Sequence, residues 1–213
     1  MRIALINENS QADKNELIYT TLSKVANDYD DIVINYGMFR ADDNHKLTYV
    51  QAGLLTAILL NSGAADFVVT GCGTGEGAML AANSFPNVLC GHITDPSDAY
   101  MFRAINNGNA VSIPYAKGFG WGGELNLEYI FDKLLCTHGG VGYPTERAGV
   151  ENENKLILDS VKKVSHKKMI DILKDIDQEF LKQTIDYPFF KVNFFAECKD
   201  PEIAEYLQSV LNK

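Results

Sequence analysis

The chain has 213 residues, 46% hydrophobic and 22% charged, proportions that build a packed core rather than a disordered or fibrous chain. Nineteen basic residues against 28 acidic ones leave a formal charge of −9, which argues against a nucleic-acid or anionic-membrane surface but still allows a small anion held by local donors. Leu54 to Leu60 is too short an apolar run to cross a bilayer, the start Met1-Arg2-Ile3 carries no apolar leader, and Cys72, Cys90, Cys136 and Cys198 form no Cys-x-x-Cys pair, so the expectation is a cytoplasmic protein with reduced thiols.

In chain order, Ile3–Ile6 reads as a buried strand and is followed by an amphipathic helix from about Ala12 to Val25. Asp31–Asn35 is a second strand, Tyr49–Leu60 a Leu- and Ala-rich helix, and Asp66–Thr70 a β-branched third strand. Glu76–Ser84 is a helix of small residues, Val88–Gly91 a fourth strand, Ser97–Asn106 a helix, Ala110–Ile113 a fifth strand and Trp121–Leu135 a closing helix. Short apolar strands alternating with helices predict an α/β fold, a Rossmann-like, doubly wound parallel sheet of about five strands.

After Leu135 the composition changes. Thr137–Ala148, with Gly139, Gly140, Gly142 and Pro144, reads as an ordered loop or linker. From Asn152 the chain is rich in Lys, Asp and Glu, with helical spacing at Met169, Ile172, Leu173, Ile176 and Phe180. Tyr187–Phe195 is aromatic and predicts a strand or extended segment, its aromatics serving a core or interface, and Asp200–Leu211 predicts a final helix opened by Asp-Pro-Glu. The expected division is an α/β domain over residues 1–150 and a mainly helical appendage over 151–213.

The chemistry concentrates in Gly71-Cys72-Gly73-Thr74-Gly75-Glu76-Gly77, four alternating glycines between a strand and a helix. Glycine lets the backbone approach a ligand, and consecutive amides at a helix start form an anion site. Gly73, Gly75 and Ala78 satisfy the dinucleotide pattern G-x-G-x-x-A, but the loop follows the third strand rather than the first, and Glu76 would set a carboxylate against a pyrophosphate. A phosphate-binding Gly-Lys-Ser/Thr loop is absent. The alternative is proton transfer: Cys72 or Glu76 as base, with the amides of Gly73, Gly75 and Gly77 stabilising an enediolate oxygen. His45, His138 and His166 show no metal-ligand spacing.

Val68-Val69-Thr70-Gly71-Cys72-Gly73-Thr74-Gly75-Glu76-Gly77 followed by Ala81-Ala82-Asn83 resembles the type B ribose-5-phosphate isomerases and galactose-6-phosphate isomerase subunits, and the tail resembles the extra C-terminal region of a longer subgroup. The resemblance implies an aldose–ketose isomerase that acts on a small phosphorylated sugar through an enediolate, without metal or cofactor. It implies a homodimer or homotetramer with active sites at the subunit interface. Cys72 then matches the catalytic base, a role taken in some members by a glutamate at the position of Glu76. Thr74 matches a residue assisting ring opening, and Asn106 and Tyr49 match substrate-site positions.

The pattern also departs from the family. Its Asp-His after the first strand reads Glu8-Asn9 here, and its ring-opening histidine aligns with Ile105. Of its paired C-terminal arginines only Arg147 remains. These changes suggest a substrate that needs no ring opening. His92 is a further candidate for the missing imidazole, or a structural histidine. The other readings left open are a non-catalytic sugar-phosphate sensor and a dinucleotide-binding oxidoreductase.

Overall fold

The computed structural model describes residues 1–213, and the five apolar runs pair as one sheet in it. The strands are β1 (Arg2–Asn7), β2 (Ile32–Asn35), β3 (Phe67–Cys72), β4 (Cys90–His92) and β5 (Ala110–Pro114). Their order is β2-β1-β3-β5-β4, with every neighbouring pair parallel. Parallel pairing requires crossovers, and the helices that supply them cover both faces.

Alternation along the strands sorts the core into two layers. Ile3, Leu5, Phe67, Val69, Val111 and Ile113 face α1 (Asn15–Asn27), α4 (Pro96–Met101) and α5 (Gly123–Leu135). Ala4, Ile6, Val68 and Ala110 face α2 (Tyr49–Asn61) and α3 (Glu76–Asn83) on the other side. Thr48 and Gln51 close a capping box at the start of α2. That helix is buried on nearly every side because the C-terminal helices lie over it, which explains why its sequence is apolar all round.

Those helices are α6 (Ala148–Ser165), α7 (Met169–Asp175), α8 (Gln178–Ile185), α9 (Pro188–Glu197) and α10 (Pro201–Leu211). Leu173, Leu181, Phe190, Phe194 and Leu207 share one hydrophobic cluster with the sheet and α2. Arg2 pairs with Glu197 at 3.4 Å, the Tyr187 hydroxyl donates to the Tyr36 carbonyl, and Lys199 N donates to Ser62 O at 2.9 Å. By contrast, α6 has no buried residue. No helix is long and apolar enough to cross a membrane.

Two local readings change. Tyr187–Phe195 is helical rather than extended: Pro188 occupies the first turn of α9, where its missing N–H costs nothing, and Tyr187, Phe190 and Phe194 reach the core at spacings of three and four. The predicted helix Ser97–Asn106 becomes α4 plus a π-helical turn over Phe102–Asn106, ended by Asn107 at φ 47°.

Candidate active site

The carboxyl ends of β1, β3 and β5 meet where the chain turns in opposite directions from β1 and β3, the crevice in which open α/β sheets hold ligands. The glycine loop leaves β3 there. Tyr115 N donates to Cys72 O and Ala116 N to Gly73 O, each at 2.9 Å, so the segment after β5 pins the first half of the loop.

The glycines serve different ends. A Cβ on Gly71 would lie 2.3 Å from the Tyr115 ring and 2.4 Å from Ile113 O, so only glycine fits. Gly75 has φ 75° and precedes α3, and a Cβ there would meet the His92 imidazole at 2.8 Å. Gly77 receives the Tyr49 ring, 3.2 Å from its Cβ position. Gly73 differs, since its nearest neighbours in that direction are Ala116 Cβ at 3.8 Å and Gln11 Nε2 and Ser10 Oγ at 3.9 Å. The backbone is therefore open at Gly73, directly after Cys72. The amides of Gly73, Thr74 and Gly75 donate to no group of the chain, and three consecutive free N–H donors form an anion cradle.

Cys72 ends β3 and is 7% exposed, whereas the Glu76 side chain is 56% exposed and pairs with Lys117 at 3.3 Å. The two candidate bases thus occupy opposite settings, one at the floor of the loop and one in solvent. Burial holds the Tyr115 phenol far above its usual range, and the nearby Cys72 charge raises it further. Its hydroxyl and both polar atoms of the Asn7 amide are buried without a hydrogen-bond partner in the chain. Thr74 Oγ1 accepts from Glu76 N at 3.3 Å. The Thr74 carbonyl accepts from His92 Nε2 at 2.9 Å, so this imidazole braces the loop.

Glu8 is buried and caps a 3-10 turn over Asn9–Lys14, accepting from Ser10 N at 3.0 Å and from the Ser10 hydroxyl. Asn9 N donates to Leu47 O at 2.8 Å and so ties this turn to the segment before α2. The turn carries Ser10 and Gln11 to the open side of Gly73 and Lys14 to Gln11 and the Tyr115 carbonyl, three residues that the sequence reading left out. Their one sequence signal was position, directly after the first strand.

Glu8, Asn9, Tyr49, Cys72, Gly73, Thr74, Gly75, Glu76 and Gly77 therefore gather at one edge. Asn106 and Arg147 do not. Asn106 ends the π-helical turn ahead of β5 and so lies at the amino edge of the sheet. Arg147 closes a 3-10 turn there, in a segment anchored by Gly142 N to Ala104 O at 2.8 Å, and pairs with Glu151 at 3.4 Å. Ile105, Asn106 and Arg147 thus form a second group across the sheet from the loop.

Residues 3–126 match the family described as Ribose/Galactose Isomerase, and residues 164–210 match one described as Ribose-5-phosphate isomerase. The chain is similar to the crystal structure of a 4-deoxy-L-threo-5-hexosulose-uronate ketol-isomerase complexed with a tartrate, at 56% identity, with 100% of both chains covered and a TM-score of 0.98. It is also similar to a ribose-5-phosphate isomerase from Vibrio parahaemolyticus, at 49% identity, with 99% of both chains covered and a TM-score of 0.96. A type B ribose 5-phosphate isomerase from Trypanosoma cruzi shares the fold at 20% identity, covering 78% of this chain and 100% of that one with a TM-score of 0.64. The comparison with curated proteins gives no match.

Proposed function

The chain belongs to the ribose/galactose isomerase family, and on that premise we propose that it is an aldose–ketose isomerase acting on an open-chain sugar acid through an enediolate. The observation that carries this reading is the Gly71–Gly77 loop itself: a buried thiol at its foot, an open backbone at Gly73, and free amides at Gly73, Thr74 and Gly75. Cys72, as thiolate, takes the proton from C2 while the carbonyl electrons move onto O1. The loop amides stabilise that oxygen where its charge develops. The C2 hydroxyl proton passes to the O1 oxyanion, and the thiol returns its proton to C1 as the C2 oxygen becomes the new carbonyl and Cys72 is left again as thiolate. Glu76, exposed and held by Lys117, is less well placed for this exchange.

Ile105 supports the open-chain part of the reading, because an alkyl side chain transfers no proton to a ring oxygen. A 4-deoxy-5-hexosulose, the sugar named for the 56%-identical relative, has no hydroxyl at C4 and a ketone at C5. Neither position offers a hydroxyl to close a furanose or pyranose ring on the C1 aldehyde, so the aldehyde is not locked in the ring that a ring-opening acid serves. The same relative was crystallised with a tartrate, itself an open-chain acid. A phosphorylated sugar is the second reading, favoured by the similarity to the Vibrio parahaemolyticus enzyme.

In this proposal the protein works as a homo-oligomer. The placement of Asn106 and Arg147 across the sheet fits their entry into the glycine loop of a second copy. Helix α6, which starts beside Arg147, exposes Leu156, Ile157, Leu158, Val161 and Val164, an apolar face suited to pairing. Turnover of a 4-deoxy-5-keto-hexuronate and of ribose 5-phosphate by the same preparation tests the substrate. The expected result is the higher kcat/KM for the keto-uronate. The reverse order assigns a sugar phosphate, and ligand binding without turnover of either assigns a non-catalytic sensor.

A further inference from the structure

One cation at the loop has no acidic partner. Lys14 ends the 3-10 turn after β1, and its ammonium donates to Tyr115 O at 2.7 Å and to Gln11 Oε1 at 2.5 Å, with the Phe119 ring centre 4.9 Å away. An ammonium has three donors, so one remains. Lys117 pairs with Glu76, Arg40 with Glu16 at 3.7 Å and Arg147 with Glu151, whereas Lys14, like the buried Arg103 on the far side of the molecule, pairs with none. Lys14, only partly exposed, has no carboxylate within 4.0 Å, in a chain with 28 acidic residues against 19 basic ones. Withdrawing a charge from water without a counter-charge is unfavourable, and tying the turn to Tyr115 requires only a neutral donor.

Position supplies the reason for the charge. Tyr115 O, which Lys14 holds, belongs to the same peptide group as Ala116 N, and Ala116 N donates to Gly73 O. Gln11 Nε2 spends one N–H on Ser10 O at 2.7 Å and faces the open side of Gly73 with the other. The Ser10 hydroxyl is engaged by Glu8, which leaves Gln11 and Lys14 as the free donors on this wall.

Resting on the sugar-acid reading above, we propose that Lys14, with Gln11, receives the substrate's terminal carboxylate and so sets which end of the chain lies over Cys72. The assignment places a specificity-determining cation in the protomer's own glycine-loop site, on the first turn after β1.

The test is tartrate binding by titration calorimetry together with keto-uronate kinetics, for the full chain and its Lys14→Met, Lys14→Arg and Gln11→Glu variants. Lys14→Met keeps the apolar stem over Phe119 and removes the charge. It should raise KM and the tartrate Kd by about tenfold or more, as expected for a lost charge-assisted hydrogen bond, with kcat little changed. Lys14→Arg should restore most of the affinity. Gln11→Glu supplies Lys14 with an internal carboxylate and should weaken binding to a similar degree, which keeps the idea testable if Lys14→Met does not fold. Unchanged KM and Kd in folded Lys14→Met, or a loss confined to kcat, would overturn the assignment. So would a loss of tartrate affinity in Arg147→Gln alone. Wild-type turnover of ribose 5-phosphate with neither keto-uronate turnover nor tartrate binding would sink the sugar-acid reading itself, and this assignment with it.

Discussion

Gly75→Ala adds one methyl group at the hinge between the anion loop and α3, and its cost follows from two contacts. The residue holds φ 75°, where a side chain costs about 1–2 kcal/mol. The new Cβ would also lie 2.8 Å from the His92 ring and 3.0 Å from Pro114 N. The backbone at Pro114 cannot yield easily, so the imidazole moves and its 2.9 Å bond to Thr74 O weakens, a further ~1 kcal/mol. The sum is about 2–3 kcal/mol, or a fall in Tm of roughly 4–12 °C for a chain of this size. Turning one loop amide away from the enediolate oxygen should lower kcat by about 10²–10³. The assay is thermal unfolding beside turnover, with Gly120→Ala as control, because a Cβ there meets nothing within 4 Å. The control should keep both Tm and kcat. If Gly75→Ala behaves like Gly120→Ala, the loop is not the rigid anion cradle argued above.

Three further outcomes are expected. His45 stacks on Tyr187 at 4.2 Å with Nε2 buried, and burial lowers its pKa below the usual 6.5 despite the opposing pull of Asp186 and the Thr184 carbonyl. The unfolded chain therefore binds the proton first: stability is full above pH 6.5 and declines as pH falls below it toward the folded value, by at most ~1.4 kcal/mol per pH unit, and His45→Phe should flatten Tm across that window. Phe194→Ala removes a fully buried ring stacked 4.8 Å from Phe190 and should cost about 3–5 kcal/mol in a single transition, whereas separate melting of the C-terminal helices would show that they do not share the sheet's core. Ile157→Asp, on the exposed face of α6, should leave the protomer folded, shift sedimentation to the monomer and abolish turnover; an active monomer would contradict the two-chain site.

The strands were legible because a buried parallel sheet demands short β-branched runs, and Asp66–Thr70 or Ala110–Ile113 permits little else. The loop was legible because alternating glycines at a strand end have few structural uses, although the sequence did not distinguish Gly71 and Gly75, which packing requires, from Gly73, which stands open. Tyr187–Phe195 misled because aromatic residues carry β-propensity, while the deciding facts were Pro188 at a helix start and a sheet face waiting for Phe190 and Phe194. Lys14 and Gln11 were invisible because the 3-10 turn that aims them bends at Gln11, with φ −130° and ψ 32°, outside any periodic pattern. The separation of Asn106 from the loop was there to be read. It precedes a parallel strand whose other end adjoins the glycine loop, so strand direction alone places the two at opposite edges of the sheet.

The central claim is proton transfer by Cys72 through an enediolate in the Gly71–Gly77 loop. It is tested most directly by isomerising the keto-uronate in D2O with the wild-type chain, Cys72→Ala and Glu76→Gln, and reading deuterium at the carbons that exchange the proton. Wild type and Glu76→Gln should place solvent deuterium in the product, while folded Cys72→Ala should show neither turnover nor exchange. Turnover and exchange that persist in Cys72→Ala and vanish in Glu76→Gln would contradict the account and move the base into solvent beside Lys117.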